Sequence, residues 1–315
     1  MNNTRKSLLL PPALLAALCL AGCSASDADA SRSGQGDVPS DHRVVDGVDD
    51  LTLPMDSYDL DNVRRARVQE ARFKIIRECL KGFDLVMPEH DTGPIRYPRN
   101  AAYLGWLGEK EVHRHGYLGP AGQEAEEFAA LDGLRMFDIP VDQDAAHTGL
   151  GASKVNGVRV PRGGCAGEAE RALNAGAAGP DGSGPAKEND FKRLYSLMED
   201  AATEGFRDER IREADARWSE CMEKKGFSYG KPFDAQSDRR WQLGDSGRGR
   251  RSVSALEIKT AVADEQCRLQ VDYSGVRRAA YTEAQNAIIE KNRGVLRNLK
   301  ELMEKRYSNA VKILG

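Results

Sequence analysis

DLDNVRRARVQEARFKIIRECLK, residues 59–81, decides the fold class. The stretch contains no Gly or Pro, and Val63, Ala66, Ile75, Ile76, Cys79 and Leu80 put apolar side chains at helical spacings. Gly82 follows, a residue type that commonly closes helices. The same pattern recurs further along the chain. Residues 188–203 read as a helix broken at Gly205, and residues 208–225 as another that ends at Gly226. Residues 254–312 read as a much longer helix, about 85–90 Å if unbroken at 1.5 Å per residue. Within it Tyr281, Ile288, Val295 and Leu302 recur every seven residues, with Ala284 and Leu299 filling part of the same stripe. Gln285 and Asn292 dilute that seam, and Gly275 and Gly294 are points where it can bend. A hairpin or bundle is therefore expected rather than a strict coiled coil.

Residues 86–184 break the pattern. Gly, Pro and aromatics punctuate GPIRYPRNAAYLGWLG and HRHGYLGP, and only residues 123–131 read as helix. LGASKVNGVRVPRGGC has room for a short strand or hairpin, while 175–187 and 243–252 read as mobile surface loops. The expected fold class is mainly α: a disulfide-stapled helical bundle or hairpin with a long C-terminal helix and an irregular middle region. Residues 55–187 and 188–315 are expected to pack as one unit.

The N-terminus carries an address. Arg5 and Lys6 precede an apolar run ending at Leu20-Ala21-Gly22-Cys23. The run, about 14 residues, is too short to span a bilayer as a helix, which takes about 20. Residues 1–22 therefore read as a signal peptide. Leu20 to Cys23 resemble the lipobox of bacterial lipoproteins, which implies a diacylglycerol on the Cys23 sulfur and cleavage in front of it. Residues 23–54, rich in Ser, Asp, Gly and Ala, read as a flexible tether. The expected location is the extracytoplasmic face of the cell membrane, lipid-anchored.

Removing the leader takes away two positive charges, leaving 44 basic against 49 acidic residues and a net charge of −5. That balance argues against a dedicated nucleic-acid binder, which would show a basic excess. Apart from Cys19 and Cys23, four cysteines remain: Cys79, Cys165, Cys221 and Cys267. An even number in an exported chain favours two disulfides. Of the three pairings, Cys79–Cys165 and Cys221–Cys267 is the reading adopted, because each joins sequence neighbours and the second would tie two helices together. No CxxC pair exists and no His lies close in sequence, so zinc is set aside. CLKGF at 79–83 and CMEKKGF at 221–227 echo each other as helix ends, with two more residues between Cys and Gly in the second.

The lipobox, CLKGF, VPRGGCAGEA at 160–169, WSECMEKKGF at 218–227 and ADEQC at 263–267 together resemble a group of predicted actinobacterial lipoproteins. The resemblance covers about residues 58–302. It implies a helix-rich, disulfide-bonded envelope protein and brings no catalytic residue with it.

Catalytic patterns are thin. The sequence has no GxSxG, HExxH, P-loop or GxGxxG, and no SxxK with a later KTG. His113 and His115, with His90 or Glu111, are the best metal candidates, though alternating histidines beside Arg and Gly fit a polar loop better. Glu89, Asp91, Glu109 and Glu111 could supply a glycosidase-like acid pair. Tyr97, Tyr103, Trp106 and Tyr117 could line a sugar groove or form a small core. The basic C-terminal residues 287–315 could meet an anionic surface or simply be a solvated helix face. The functional expectation is a binding or scaffold module for another envelope protein or wall polymer, without cofactor. The rival is a cell-wall hydrolase or modifying enzyme with its site in residues 86–165.

Overall fold

The computed structural model describes residues 45–133, 135, 139–242 and 252–315. Cys23, the leader, the tether up to residue 44 and most of the 243–252 loop lie outside these residues. The rest is mainly helical, as the apolar periodicity requires.

Helix α1, Asn62–Lys81, starts where Asp61 Oδ1 accepts the Arg64 N–H at 2.8 Å, satisfying one of the free donors of the first turn. Its buried face is Ala66, Gln69, Phe73, Ile76 and Leu80, a three-four alternation, with Ala71 beside it. Ala66, Ile76 and Leu80 of the expected stripe are on it and Ile75 and Cys79 border it, while Val63, also expected there, is exposed. Short helices follow: α2 (Ala101–Leu104), α3 (Val112–His115), α4 (Gln123–Asp132) and α5 (Asp144–Thr148). LGASKVNGVRVPRGGC supplies a two-stranded antiparallel hairpin, Lys154–Val155 with Val158–Arg159.

Helix α6, Gly164–Leu173, falls inside the stretch expected to be irregular. Its Ala- and Glu-rich body is good helix sequence, and the Gly163-Gly164 pair in front of it only looks like a breaker. Both glycines sit at positive φ, and a Cβ on Gly164 would lie 2.3 Å from the His147 carbonyl oxygen. The pair lets the end of α5 cross directly over the start of α6.

Helix α7, Lys192–Phe206, runs through Gly205 instead of breaking there. A Cβ at Gly205 would come within 2.8 Å of the Tyr281 ring, so this glycine serves a close helix crossing rather than a stop. Helices α8 (Glu209–Lys224), α9 (Pro232–Gln236) and α10 (Arg239–Gln242) follow.

The long C-terminal helix is three: α11 (Ala255–Gln270), α12 (Tyr273–Lys291) and α13 (Arg293–Leu314), the last with 22 residues. The breaks fall two or three residues before the suspect glycines, at Asp272, which takes φ 48°, and at Asn292. The heptad is therefore divided: Tyr281 packs with Leu104 and Ile211, while Leu299 and Leu302 pack with Leu60 and Leu194.

Two expectations about free segments are corrected. Val45, Leu51 and Leu53, placed in the tether, are buried against Tyr97 and Leu104. Residues 175–187 form an ordered turn: Ala178 bridges Pro185, and Asn298 Nδ2 donates to the Pro180 carbonyl at 2.9 Å. Apolar Val and Leu side chains in the first, and unpaired backbone groups in the second, find partners that only the folded chain supplies.

Candidate functional site

Two disulfides, each beside a network of buried charges, organise the molecule. Cys79 is bonded to Cys165 and Cys221 to Cys267, closing loops of 86 and 46 residues. They fit a chain that works outside the reducing cytosol. No helix among the described residues is long and apolar enough to cross a membrane.

The helix ends that carry Cys79 and Cys221 are closed in the same way. Leu85 N–H donates to the Leu80 carbonyl, and Phe227 N–H to the Met222 carbonyl, at 3.1 and 2.9 Å. These are the long bonds of a Schellman motif. The residue at positive φ just before each donor is Asp84 in one and Gly226 in the other. Both stand five positions after the cysteine. The glycine in CLKGF misleads: Gly82 is right-handed, φ −64°, and the two ends align from their cysteines without any offset.

Beside the second disulfide the network is closed. Asp264 Oδ1 accepts the Trp218 Nε1–H at 2.8 Å and the Arg268 Nε–H at 2.7 Å. Its Oδ2 accepts the Tyr117 hydroxyl at 3.0 Å and Arg268 Nη2–H at 2.9 Å. Arg268 spends a further donor on the Gly105 carbonyl at 2.8 Å. Trp218 and Asp264 are wholly buried, and burial with Asp264 alongside pushes the Tyr117 hydroxyl far above the ordinary phenol range. WSEC and ADEQC thus face each other, with Trp218 and Asp264 each one turn before a bonded cysteine. Every polar group here has an internal partner, which suits a structural role.

Beside the first disulfide the network opens onto space. Cys165 fixes the start of α6 against the end of α1. Five residues on, Glu170 accepts Arg72 Nε–H at 2.7 Å and Arg306 Nη2–H at 2.8 Å. Arg306 also donates to Asn174 and lies 3.9 Å from the centre of the Phe191 ring. Glu188 is likewise shared between Arg162 and Arg171. These groups border a cavity of about 1150 Å³ walled by α1, α6, α7 and α13, with Tyr103 of α2 and Leu131 of α4 at its side. A smaller pocket of about 90 Å³ shares Arg65, Tyr103 and Tyr195 with it. Burial pushes the Tyr195 hydroxyl up to about 12, so it stays neutral.

Of the residues singled out in the sequence, the VPRGGCAGEA segment supplies Arg162, Gly163, Ala166 and Gly167 to the cavity wall. Tyr103 joins it from the aromatic group. Tyr97 and Trp106 go to the core around Leu104, and Tyr117 goes to the core around Trp218. The His residues do not converge: His90 meets Phe73 edge to face, ring centres 3.8 Å apart, while His113 and His115 lie on α3, which packs on α11. Among the described residues no group of three or more His, Cys, Asp or Glu is placed to hold a metal ion. The basic C-terminal face is partly spent on internal pairs, Arg306 with Glu170 and Arg293 with Glu290.

Sequence reasoning missed Arg65, Arg72, Glu170, Tyr195 and Arg306. The available signal was charged residues on apolar helix faces, Arg72 beside Phe73 and Arg306 between Met303 and Ala310. Compared with known proteins, the chain matches no protein-family model, no curated protein and no solved structure.

Proposed function

We propose that this chain is a binding module of the cell envelope, lipid-anchored through Cys23 on the extracytoplasmic face of the membrane, and that it holds another envelope component in the cavity between α1, α6, α7 and α13. The observation that carries the reading is the cavity itself. At about 1150 Å³ it lies just above the usual range of small-molecule sites, roughly 300–1,000 Å³. It also takes its walls from both ends of the described chain and mixes apolar surface with a few converging charged groups, as such sites do. The disulfide at Cys79–Cys165 supports this by holding one wall to another. The resemblance to actinobacterial lipoproteins is consistent with the address but says nothing of the ligand.

The test is to recover the protein from detergent-solubilised membranes after mild crosslinking and to read proteins and small molecules together by mass spectrometry. A small molecule released from the native protein, and missing from an Ala166→Trp variant that fills the cavity, is the expected result. A stoichiometric protein partner with no released molecule, unaffected by Ala166→Trp, would sink the cavity reading and leave a scaffold.

A further inference from the structure

Resting on the reading of the cavity as a binding site, we infer that its ligand is an uncharged amphiphile: an apolar body carrying an alcohol, ester or ether oxygen that meets the Tyr195 hydroxyl. The charged groups of the wall answer one another. Arg65, Arg72, Arg135, Arg162, Lys192 and Arg306 border the cavity together with Glu170, Glu188 and Glu199. Asp59 pairs with Arg65, and Asp91 and Glu126 pair with Arg135, so carboxylates equal cations in number. Every guanidinium has its carboxylate in place, since Glu170 holds Arg72 and Arg306, and Glu188 holds Arg162. Lys192 and Glu199, of opposite sign, both stand exposed on α7. A charged head group entering here finds no unspent counter-charge, and has to break a pair or lie desolvated beside one. An uncharged head leaves every pair intact.

One polar group of the wall is left over. Among the described residues the Tyr195 hydroxyl has no hydrogen-bond partner. Tyr195 borders both the cavity and the small pocket beside it. Burial pushes its hydroxyl up to about 12, yet the side chain keeps accessible surface. Surface that is accessible while the group is strongly desolvated faces an enclosed space rather than bulk solvent. The Phe191 ring, with centres 6.4 Å apart, and the Arg65 guanidinium, 5.7 Å from the ring centre, pack on Tyr195 without using its oxygen. A phenol that stays neutral both donates and accepts, so it suits an uncharged oxygen.

The rest of the accessible wall is apolar. Val68, Tyr103 and Ile139 are half-buried around the cavity, and Leu131 is 41% exposed. Large side chains from α1, α2, α4 and the segment after α4 thus leave apolar surface on one concavity. Water alone would leave that surface wet, and a wholly polar molecule such as a free sugar would not cover it. A plain hydrocarbon would cover it but leave the Tyr195 hydroxyl unanswered. An uncharged amphiphile meets both conditions without disturbing an ion pair.

Calorimetric titration of the purified full chain with four probes, each below its micelle-forming concentration, tests this. Monododecanoylglycerol, dodecanoate and dodecyltrimethylammonium share a chain length and differ in head-group charge; glycerol is a head group alone. Monododecanoylglycerol is expected to bind one to one, about tenfold or more tighter than either charged amphiphile, because an unpaired charge is costlier to bury than a neutral oxygen. Glycerol, lacking the apolar body, is expected to bind at least about a hundredfold more weakly. Tyr195→Phe removes an oxygen with no internal partner, so it is expected to keep the urea midpoint and to lose about fivefold in affinity for monododecanoylglycerol. Dodecanoate or dodecyltrimethylammonium binding as tightly as monododecanoylglycerol overturns the inference while keeping the cavity as a site. Unchanged affinity in Tyr195→Phe overturns the assigned contact. Binding of no probe, or binding untouched by Ala166→Trp, overturns the inference as a whole. The molecule released from the membrane-derived protein then decides the cavity reading separately.

Discussion

The regions around the two disulfides start from the same local chemistry and end differently. In each, a cysteine one residue before the carbonyl that accepts the long bond is tied to a second helix, and the chain turns away through a residue at positive φ. Around Cys221–Cys267 the charges beside the bridge are answered inside the protein, four hydrogen bonds meeting on Asp264. Around Cys79–Cys165 two guanidiniums, Arg72 and Arg306, share the single carboxylate of Glu170 and border a cavity. The lesson is that a staple fixes helices without fixing the use of the surface it creates; the stoichiometry of the charges alongside decides that.

The largest test of this contrast is removal of the bridges. Replacing Cys79 and Cys165 together with Ser is expected to cost about 5 kcal/mol, and replacing Cys221 and Cys267 about 4, as loop entropy gives for their lengths. Urea unfolding of each variant checks this. A clearly larger loss for the Cys221–Cys267 pair would mean that the Asp264 network depends on its bridge more than the chain-entropy argument allows.

Next come the carboxylates. Asp264→Asn strips the buried Arg268 of its counter-charge and is expected to cost about 3–5 kcal/mol. Glu170→Gln leaves its two guanidiniums beside a cavity that water or anions can enter, and about 1–3 kcal/mol is expected. Equal losses in denaturant midpoint, with unchanged slope, would erase the distinction between closed and open networks.

A third difference is set by pH. His147 of α5 is 6% exposed, and burial, with the charge of Arg72 adding to it, pulls its imidazole down to about 4 from an ordinary 6.5. The folded state resists protonation that the unfolded chain accepts. Stability is therefore full above about pH 6.5 and falls as pH drops towards 4, by up to about 1.4 kcal/mol per pH unit. His147→Gln is expected to flatten that part of the profile in denaturation series at stepped pH. A profile unchanged by the substitution would remove His147 from the open region's sensitivity.

The smallest effects lie in the turns. Asp84→Gly is expected to stabilise by about 0.5–1 kcal/mol, and Gly226→Asp to destabilise by about 1, because an L side chain is strained at positive φ. Thermal melts of both variants check whether the two helix ends are equivalent. Opposite signs are the required outcome.

The sequence by itself determined the helical class, because helix-forming residues at 3.6-residue spacing carry that information locally. It also placed α1, α8 and the hairpin region within a few residues, and the pairing of Cys79 with Cys165 and of Cys221 with Cys267. It could not say that Val45 to Leu53 pack, that Gly205 is a crossing point or that the C-terminal run breaks at Asp272 and Asn292. The first two outcomes depend on partners more than 40 residues distant. α6 was hidden because two glycines needed for a backbone crossing look locally like a stop. The cavity was decided only in the tertiary structure. Arg65, Arg72, Glu170, Tyr195 and Arg306 read singly as solvated or stacked residues. Only the packing of α1, α6, α7 and α13 brings two guanidiniums onto one carboxylate beside an apolar wall.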